Sequence, residues 1–306
     1  MTAWHQEIEQ AALRLRGHVR RTPCVDGYDY GQGCFIDLKL ENLQYTASFK
    51  VRGAMNTLLQ ADVPKAGVVA ASGGNHGAAV AFAAQQLGIP AHIFVPEIAG
   101  PAKIGLIRST GAHLTVVHGE YVNALNAALE YGADTGAMQI HAYDAPKTVI
   151  GQGTLFHEWQ EQGLQADTVL IAVGGGGLIA GAMGWFAGAR KIVAVEPVTC
   201  ATLNAALTAG EPVDVPITGV AANALGAKKI GQICFDLATE QEILSITVSD
   251  DDITNAQDRL WNDLRQYVEP AGATALAALT SGAYRPEPDE RVAVLVCGAN
   301  PSQAPL

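Results

Sequence analysis

The sequence is poor in charge. Asp, Glu, Lys and Arg make up 16% of its 306 residues, and 19 Lys and Arg face 30 Asp and Glu, for a formal net charge of −11. No dense basic cluster occurs anywhere along it. Attraction to a phosphate backbone needs such a cluster, so nucleic acid is excluded as a partner. The five cysteines, Cys24, Cys34, Cys200, Cys234 and Cys297, are odd in number and scattered, with no CxxC pair and no His/Cys grouping at metal spacing. That absence excludes a disulfide scaffold and a structural zinc site, and fits reduced thiols in a cytoplasm. The start, Met1-Thr2-Ala3-Trp4-His5-Gln6-Glu7, lacks the basic and then apolar regions of an export signal. There is no period-regular repeat, low-complexity tract or charge run, and residues 301–306 follow closely on the last expected strand, so no regulatory module is expected.

What is present is a sizeable apolar fraction, 49% of the chain, which supports a core and rules out disorder. The length points to one large α/β domain or two lobes with a cleft between them. Residues 169–189 run without a charge, long enough to cross a bilayer. Their interior, Gly174-Gly175-Gly176-Gly177, costs a helix about 1 kcal/mol per glycine, so a strand, a turn and a helix fit better than a membrane span. Apolar β-rich runs at 34–40, 67–71, 91–95, 113–117, 168–173, 192–195, 246–248 and 292–297 alternate with helical periodicity at 75–87, 121–131, 148–161, 251–267 and 271–281. Alternation of this kind predicts an α/β fold of mostly parallel sheets with helices on both faces, and ligands at the carboxyl ends of strands.

Three constellations carry chemistry. The tetraglycine joins a strand to an apolar helix, which presents successive backbone N–H groups at a helix N-terminus, a cup for a phosphate. It is neither GxGxxG nor GxxxxGK[ST], so a dinucleotide or nucleoside triphosphate is not the natural ligand. Without a ligand it is a flexible turn. Ser48-Phe49-Lys50-Val51-Arg52-Gly53-Ala54 places Lys50 beside Phe49 among small and apolar residues, where a lysine has a depressed pKa suited to Schiff-base chemistry; elsewhere such a lysine is a solvated surface charge. Ser72-Gly73-Gly74-Asn75-His76-Gly77 forms a second strand-to-helix turn, sized for a carboxylate. Ser72 or Asn75 as a helix cap and His76 as a packed histidine are the alternatives.

These motifs, with Gly151-Gln152-Gly153-Thr154, Val195-Glu196-Pro197, Glu269-Pro270-Ala271-Gly272-Ala273 and Cys297-Gly298-Ala299-Asn300, resemble the pyridoxal-phosphate serine/threonine dehydratases in order and over essentially the whole chain. The wider tryptophan-synthase-β-like group, with serine racemases and cysteine synthases, is similar. The resemblance implies two doubly wound, mostly parallel three-layer domains with the cofactor in the cleft: a large one from 1–66 and 146–306 and a small one from 67–145.

It also implies site roles. Lys50 would hold pyridoxal phosphate and, once a substrate amine displaces it, take the Cα proton. Gly174, Gly175, Gly176 and Gly177 would bind the phosphate, Asn75 the ring hydroxyl, and Phe49 and Cys297 the ring, with Cys297 opposite its nitrogen. Ser72, Gly73, Gly74, Asn75 and His76 would take the substrate carboxylate, and Glu269 would line the site. The implied reaction is β-elimination from a small β-hydroxy amino acid by a cytoplasmic homodimer; racemisation or β-replacement is the alternative.

Departures sharpen this. Ala47 and Ala78 stand where relatives carry Gly and Gln. Gly73 replaces a serine that racemases use to protonate the carbanion, which implies weak racemisation. Glu196 matches a metal-ligand position whose partner Asp is Thr202 here, leaving a monovalent or divalent cation open. Val220-Ala221-Ala222-Asn223-Ala224-Leu225-Gly226 resembles animal-type serine dehydratases, which implies a catabolic enzyme.

Overall fold

The computed structural model describes residues 2–28, 35–97, 99–119 and 121–300. Among these residues ten strands are formed: β1 (Cys24–Tyr28), β2 (Ile36–Leu40), β3 (Val68–Ala71), β4 (Ala91–Pro96), β5 (His113–Val117), β6 (Met138–Gln139), β7 (Thr168–Ala172), β8 (Lys191–Pro197), β9 (Leu244–Val248) and β10 (Val292–Val296). The helices are α1 (Ala3–Arg14), α2 (Lys50–Leu59), α3 (Asn75–Gln86), α4 (Pro101–Ser109), α5 (Tyr121–Thr135) and α6 (Pro146–Glu161). They continue with α7 (Gly177–Phe186), α8 (Thr202–Ala209), α9 (Ala222–Leu225), α10 (Gln232–Glu240), α11 (Asp250–Leu264) and α12 (Pro270–Thr280). Among the described residues no helix is long and apolar enough to cross a membrane.

The strands form two sheets, one in the order β1-β2-β10-β7-β8-β9 and one in the order β5-β4-β3-β6. All four strands of the second lie within 67–145, and all six of the first lie outside it. Every pairing is parallel except β1 with β2, an antiparallel edge whose register shifts between Val25 and Tyr28. Burial on both faces follows from side-chain alternation. In the first sheet Val169 and Ile171 of β7 join one apolar cluster with α6 and α7, while Leu170 joins a second with α11 and α12. In the second sheet Val68 and Ala70 face α2 and α3, and Val69 and Ala71 face Ala124 and Ala128 of α5.

Helix α2 is the element the two bodies share. Val51, Ala54, Met55 and Leu58 pack with α3, while its other side lies so close to α6 that a Cβ on Gly151 would stand 2.6 Å from the Arg52 carbonyl. Its first turn is pinned by charge. The buried Arg52 guanidinium donates to Glu41 (2.6 and 3.0 Å) and to Glu158 (2.9 Å), and Glu158 also takes Lys39 at 2.6 Å. A guanidinium so deeply buried is tolerated only with such partners, and removing one leaves an uncompensated charge.

Sequence and structure differ in several elements. The strand expected from residue 34 begins at Ile36, and Cys34, like 301–306, lies outside the described residues. Helix α11 starts one residue early, on a Ser249–Asp252 capping box, and stops at Leu264 because Arg265 turns left-handed, at φ 56°.

Candidate active site

The approach to Lys50 is a strained backbone. Thr46 and Ala47 both adopt positive φ, 55° and 53°, which explains the glycine expected at the second position. Flanking bonds hold them there: Asn300 donates to the Thr46 carbonyl (2.7 Å) and the Ala299 amide to the Ala47 carbonyl (2.8 Å). The Phe49 amide then donates to the Cys297 carbonyl at 3.3 Å, tying the start of α2 to the end of β10.

Lys50, partly buried, donates from Nζ to the Ala142 carbonyl at 2.7 Å and lies 5.2 Å from the centroid of the Phe49 ring. Burial lowers its pKa to about 8. The reactive amine is therefore far more available near neutrality than an ordinary lysine's. Cys297 is buried, its thiol donating to the Ala271 carbonyl at 3.3 Å, and burial, reinforced by Glu269, pushes its pKa up. It stays a neutral thiol.

The tetraglycine continues β7 into α7. The Gly174 carbonyl accepts the Thr202 hydroxyl at 2.5 Å, the Gly175 carbonyl accepts the Gly231 amide at 3.1 Å, and Gly176, at φ 88°, opens the helix. The amides of Gly174, Gly175, Gly176 and Gly177 hydrogen-bond to no described group. Protein atoms occupy the space of every missing side chain: Leu225 beside Gly174, the Tyr143 ring beside Gly175, Cys234 beside Gly176 and the Tyr143 main chain beside Gly177. The glycines thus admit the walls of the cup, and the open amides are left for an anion.

The second turn, between β3 and α3, is arranged differently. The Ser72 hydroxyl accepts from the Gly74 amide at 3.1 Å, as a local turn cap. A Cβ on Gly73 would overlap Ala99, so that position faces the turn after β4. Asn75 reaches across to the first sheet's side: its amide donates to Glu269 at 2.5 Å and its carbonyl accepts from Asn300 at 2.8 Å. His76 packs beneath the turn with Nε2 at 2.9 Å from the Ile140 carbonyl. Burial and the nearby Lys50 charge lower its pKa to about 3, so it is neutral, and with its Nε2 proton given to Ile140 it has only its backbone amide to offer an anion.

Glu196 stands apart from this group. Its buried carboxylate accepts from the Leu203 and Asn204 amides at the start of α8, both at 2.8 Å, and from Ser245 at 3.1 Å. Among the described residues no group of three or more His, Cys, Asp or Glu could hold a metal ion.

Sequence reading, with the family resemblance, singled out Lys50, Phe49, both turns, Cys297 and Glu269; in the structure Phe49 bonds to Cys297 and Asn75 to Glu269. It missed the Ala142 carbonyl, Tyr143 and Asn300. Asn300 lay inside a quoted motif, but a hydrogen bond to Asn75 has no local signature; neither has Tyr143, whose partners are remote in sequence.

A family model described as pyridoxal-phosphate dependent enzyme matches residues 15–298. The chain is 35% identical over 298 residues to a phenylserine dehydratase of Ralstonia pickettii, covering 95% of this chain and 91% of that one. Maize serine racemase matches its structure with a TM-score of 0.91 at 31% identity, covering 97% of this chain and 93% of that one. For a T.th. threonine deaminase the TM-score is 0.89 at 33% identity, covering 98% and 99%. With Lys50 held between two turns of anion-binding character, and a match running over nearly all its length, the chain belongs to the pyridoxal-phosphate-dependent enzyme family.

Proposed function

We propose that this enzyme is an ammonia-lyase that removes the β-hydroxyl of a β-hydroxy amino acid such as serine, threonine or 3-hydroxyaspartate, giving a 2-oxo acid and ammonia. The observation that supports the reading best is the Lys50 amine, its pKa lowered to about 8, held by the Ala142 carbonyl next to Tyr143, whose ring lies against Gly175, and near enough to His76 of the second turn to lower that imidazole's pKa.

The residues present fit the family's cofactor. Lys50 would supply the amine for its aldehyde, the amides of Gly174 to Gly177 would take its phosphate, and Phe49, Asn75 and Cys297 would surround its ring. When bound, it supplies an electron sink for the pair left at Cα. The Gly73 amide, with Ser72, Asn75 and the His76 amide, would orient the substrate carboxylate, and Gly74, its amide given to Ser72, would shape the turn around it. Lys50, freed by the substrate amine, takes the Cα proton; the β-hydroxyl leaves as water, and the resulting enamine hydrolyses to oxo acid and ammonia. Glu269 holds Asn75 in place. Cys297 would meet the ring as a neutral thiol in place of a carboxylate, which favours prompt loss of the leaving group. Gly73 brings no hydroxyl to the opposite face, which disfavours racemisation.

The test is to follow 2-oxo-acid release and the chirality of the remaining amino acid together. Elimination is expected to exceed enantiomer formation by at least ~10-fold, a barrier difference of about 1.4 kcal/mol. Comparable rates would establish a racemase instead. A cytoplasmic homodimer belongs to the same reading, and sedimentation of the holoenzyme tests its pairing.

A further inference from the structure

Helix α6 is entered through a tight turn, residues 141–144, fastened at both ends. The His141 carbonyl accepts the Thr148 hydroxyl of α6 at 3.1 Å, and the Asp144 carboxylate accepts the Ile233 amide of α10 at 3.0 Å. Between these ends the His141 ring turns back on its own chain, where Nδ1 accepts the Asp144 amide at 2.9 Å and the Tyr143 amide at 3.4 Å. A side chain that accepts from amides just ahead of it is the device by which Asn, Asp and Ser cap turns; here an imidazole does so. Because an amide only donates, Nδ1 carries the lone pair and the ring proton is on Nε2. The Ala142 carbonyl and the Tyr143 N–H are opposite ends of one planar peptide, so the ring that holds the N–H also sets the direction of the carbonyl. That carbonyl accepts Lys50 Nζ at 2.7 Å, and among the described residues no other group hydrogen-bonds this amine.

We propose that His141 is a positioning residue for the reaction: its ring sets the peptide between Ala142 and Tyr143, whose carbonyl holds the Lys50 amine in place for the Cα proton. This rests on the reading of Lys50 as the base. A lysine amine ends a long flexible stem, and a base misplaced by about 1 Å costs on the order of 10²-fold in rate. The cap works only while the ring is neutral, since a proton on Nδ1 breaks both amide bonds. Partial burial, together with the Lys50 charge, lowers the imidazole's pKa, and Asp144 opposes them. The titratable groups around the ring are Asp144 and Tyr143 of its own turn, Lys50 of α2 and the neutral His76 of α3.

The holoenzyme is compared with His141→Ala and His141→Asn. Exchange of the Cα proton of L-alanine in heavy water, a substrate with no leaving group, reads the proton transfer alone; 2-oxo acid from serine and threonine reads the whole reaction, and amide exchange by mass spectrometry reads the turn. In His141→Ala the kcat for Cα exchange and for elimination is expected to fall ~10-fold or more, with KM and cofactor content kept within about twofold. The amides of residues 143 and 144 should exchange faster in the same variant. His141→Asn, whose side-chain oxygen replaces Nδ1, should protect those amides and bring kcat back to within about threefold of the unaltered enzyme. On acidification the unaltered enzyme should lose rate in a step below the ordinary histidine range that His141→Asn lacks, a comparison that stands even where His141→Ala fails to fold. Unchanged kcat in His141→Ala, a loss confined to KM or cofactor content, or an acid step shared by the unaltered and Asn enzymes would overturn the proposal. Absence of Cα exchange in the unaltered enzyme would overturn the reading of Lys50 as base instead, and the amide exchange would still judge the cap.

Discussion

Two turns of the same construction, a buried parallel strand running through glycine into a helix, flank Lys50, yet they are enclosed differently. Around 174–177 the protein fills the space of each missing side chain, with Leu225, Tyr143 and Cys234 drawn from three separate segments. Around 72–75 each residue is half-buried rather than enclosed: Ala99, Pro96 and Val95 stand beside Gly73, and the Gly74 amide rests on the turn's own Ser72. The first is built like a fixed socket, the second like a seat at the carboxyl end of an interior strand. A socket suits a ligand retained through every turnover, and a seat suits one exchanged each time.

The largest effect is expected between the two turns. Lys50→Ala removes the amine that both serve, and turnover should fall by at least ~10³-fold with the fold intact, as seen by circular dichroism. Ordinary activity in that variant would remove Lys50 from the chemistry. Replacing Gly175 and Gly176 together with Val drives side chains into Tyr143 and Cys234 and forces a branched residue to positive φ. Cofactor should then be lost on dialysis; normal content would make the tetraglycine a structural turn only.

The seat should answer differently. Gly73→Ser must push Ala99 aside, so KM should rise about tenfold while cofactor content is kept, and Ala99→Gly in the same chain should restore it. Loss of cofactor in the single variant would erase the distinction between the two turns. The smallest effect is expected at Ala47→Gly. Relief of the left-handed strain, offset in part by the flexibility of glycine when unfolded, should stabilise the protein by about 0.5–1 kcal/mol in urea titration.

The difference between socket and seat was only partly legible beforehand. The central strands β7 and β10 announce themselves as short runs of Val, Ile and Leu, because both faces are buried, and the glycines mark their turn. Neighbours drawn from remote segments leave no such mark: nothing near Gly175 points to Tyr143, and nothing near Asn75 points to Asn300. Strand β1 escaped because Gly27, at φ 78°, interrupts its alternation, and β6 because two residues carry no period. Lys39 reads as the polar face of a strand, yet it is wholly buried on Glu158, a partner contributed by α6.

The most direct test of the central claim, that Lys50 is the amine both turns serve, is reduction of the holoenzyme with borohydride followed by peptide mapping. The account predicts one pyridoxyl group, retained after denaturation and located on Lys50. A label on another lysine, or none, would contradict it.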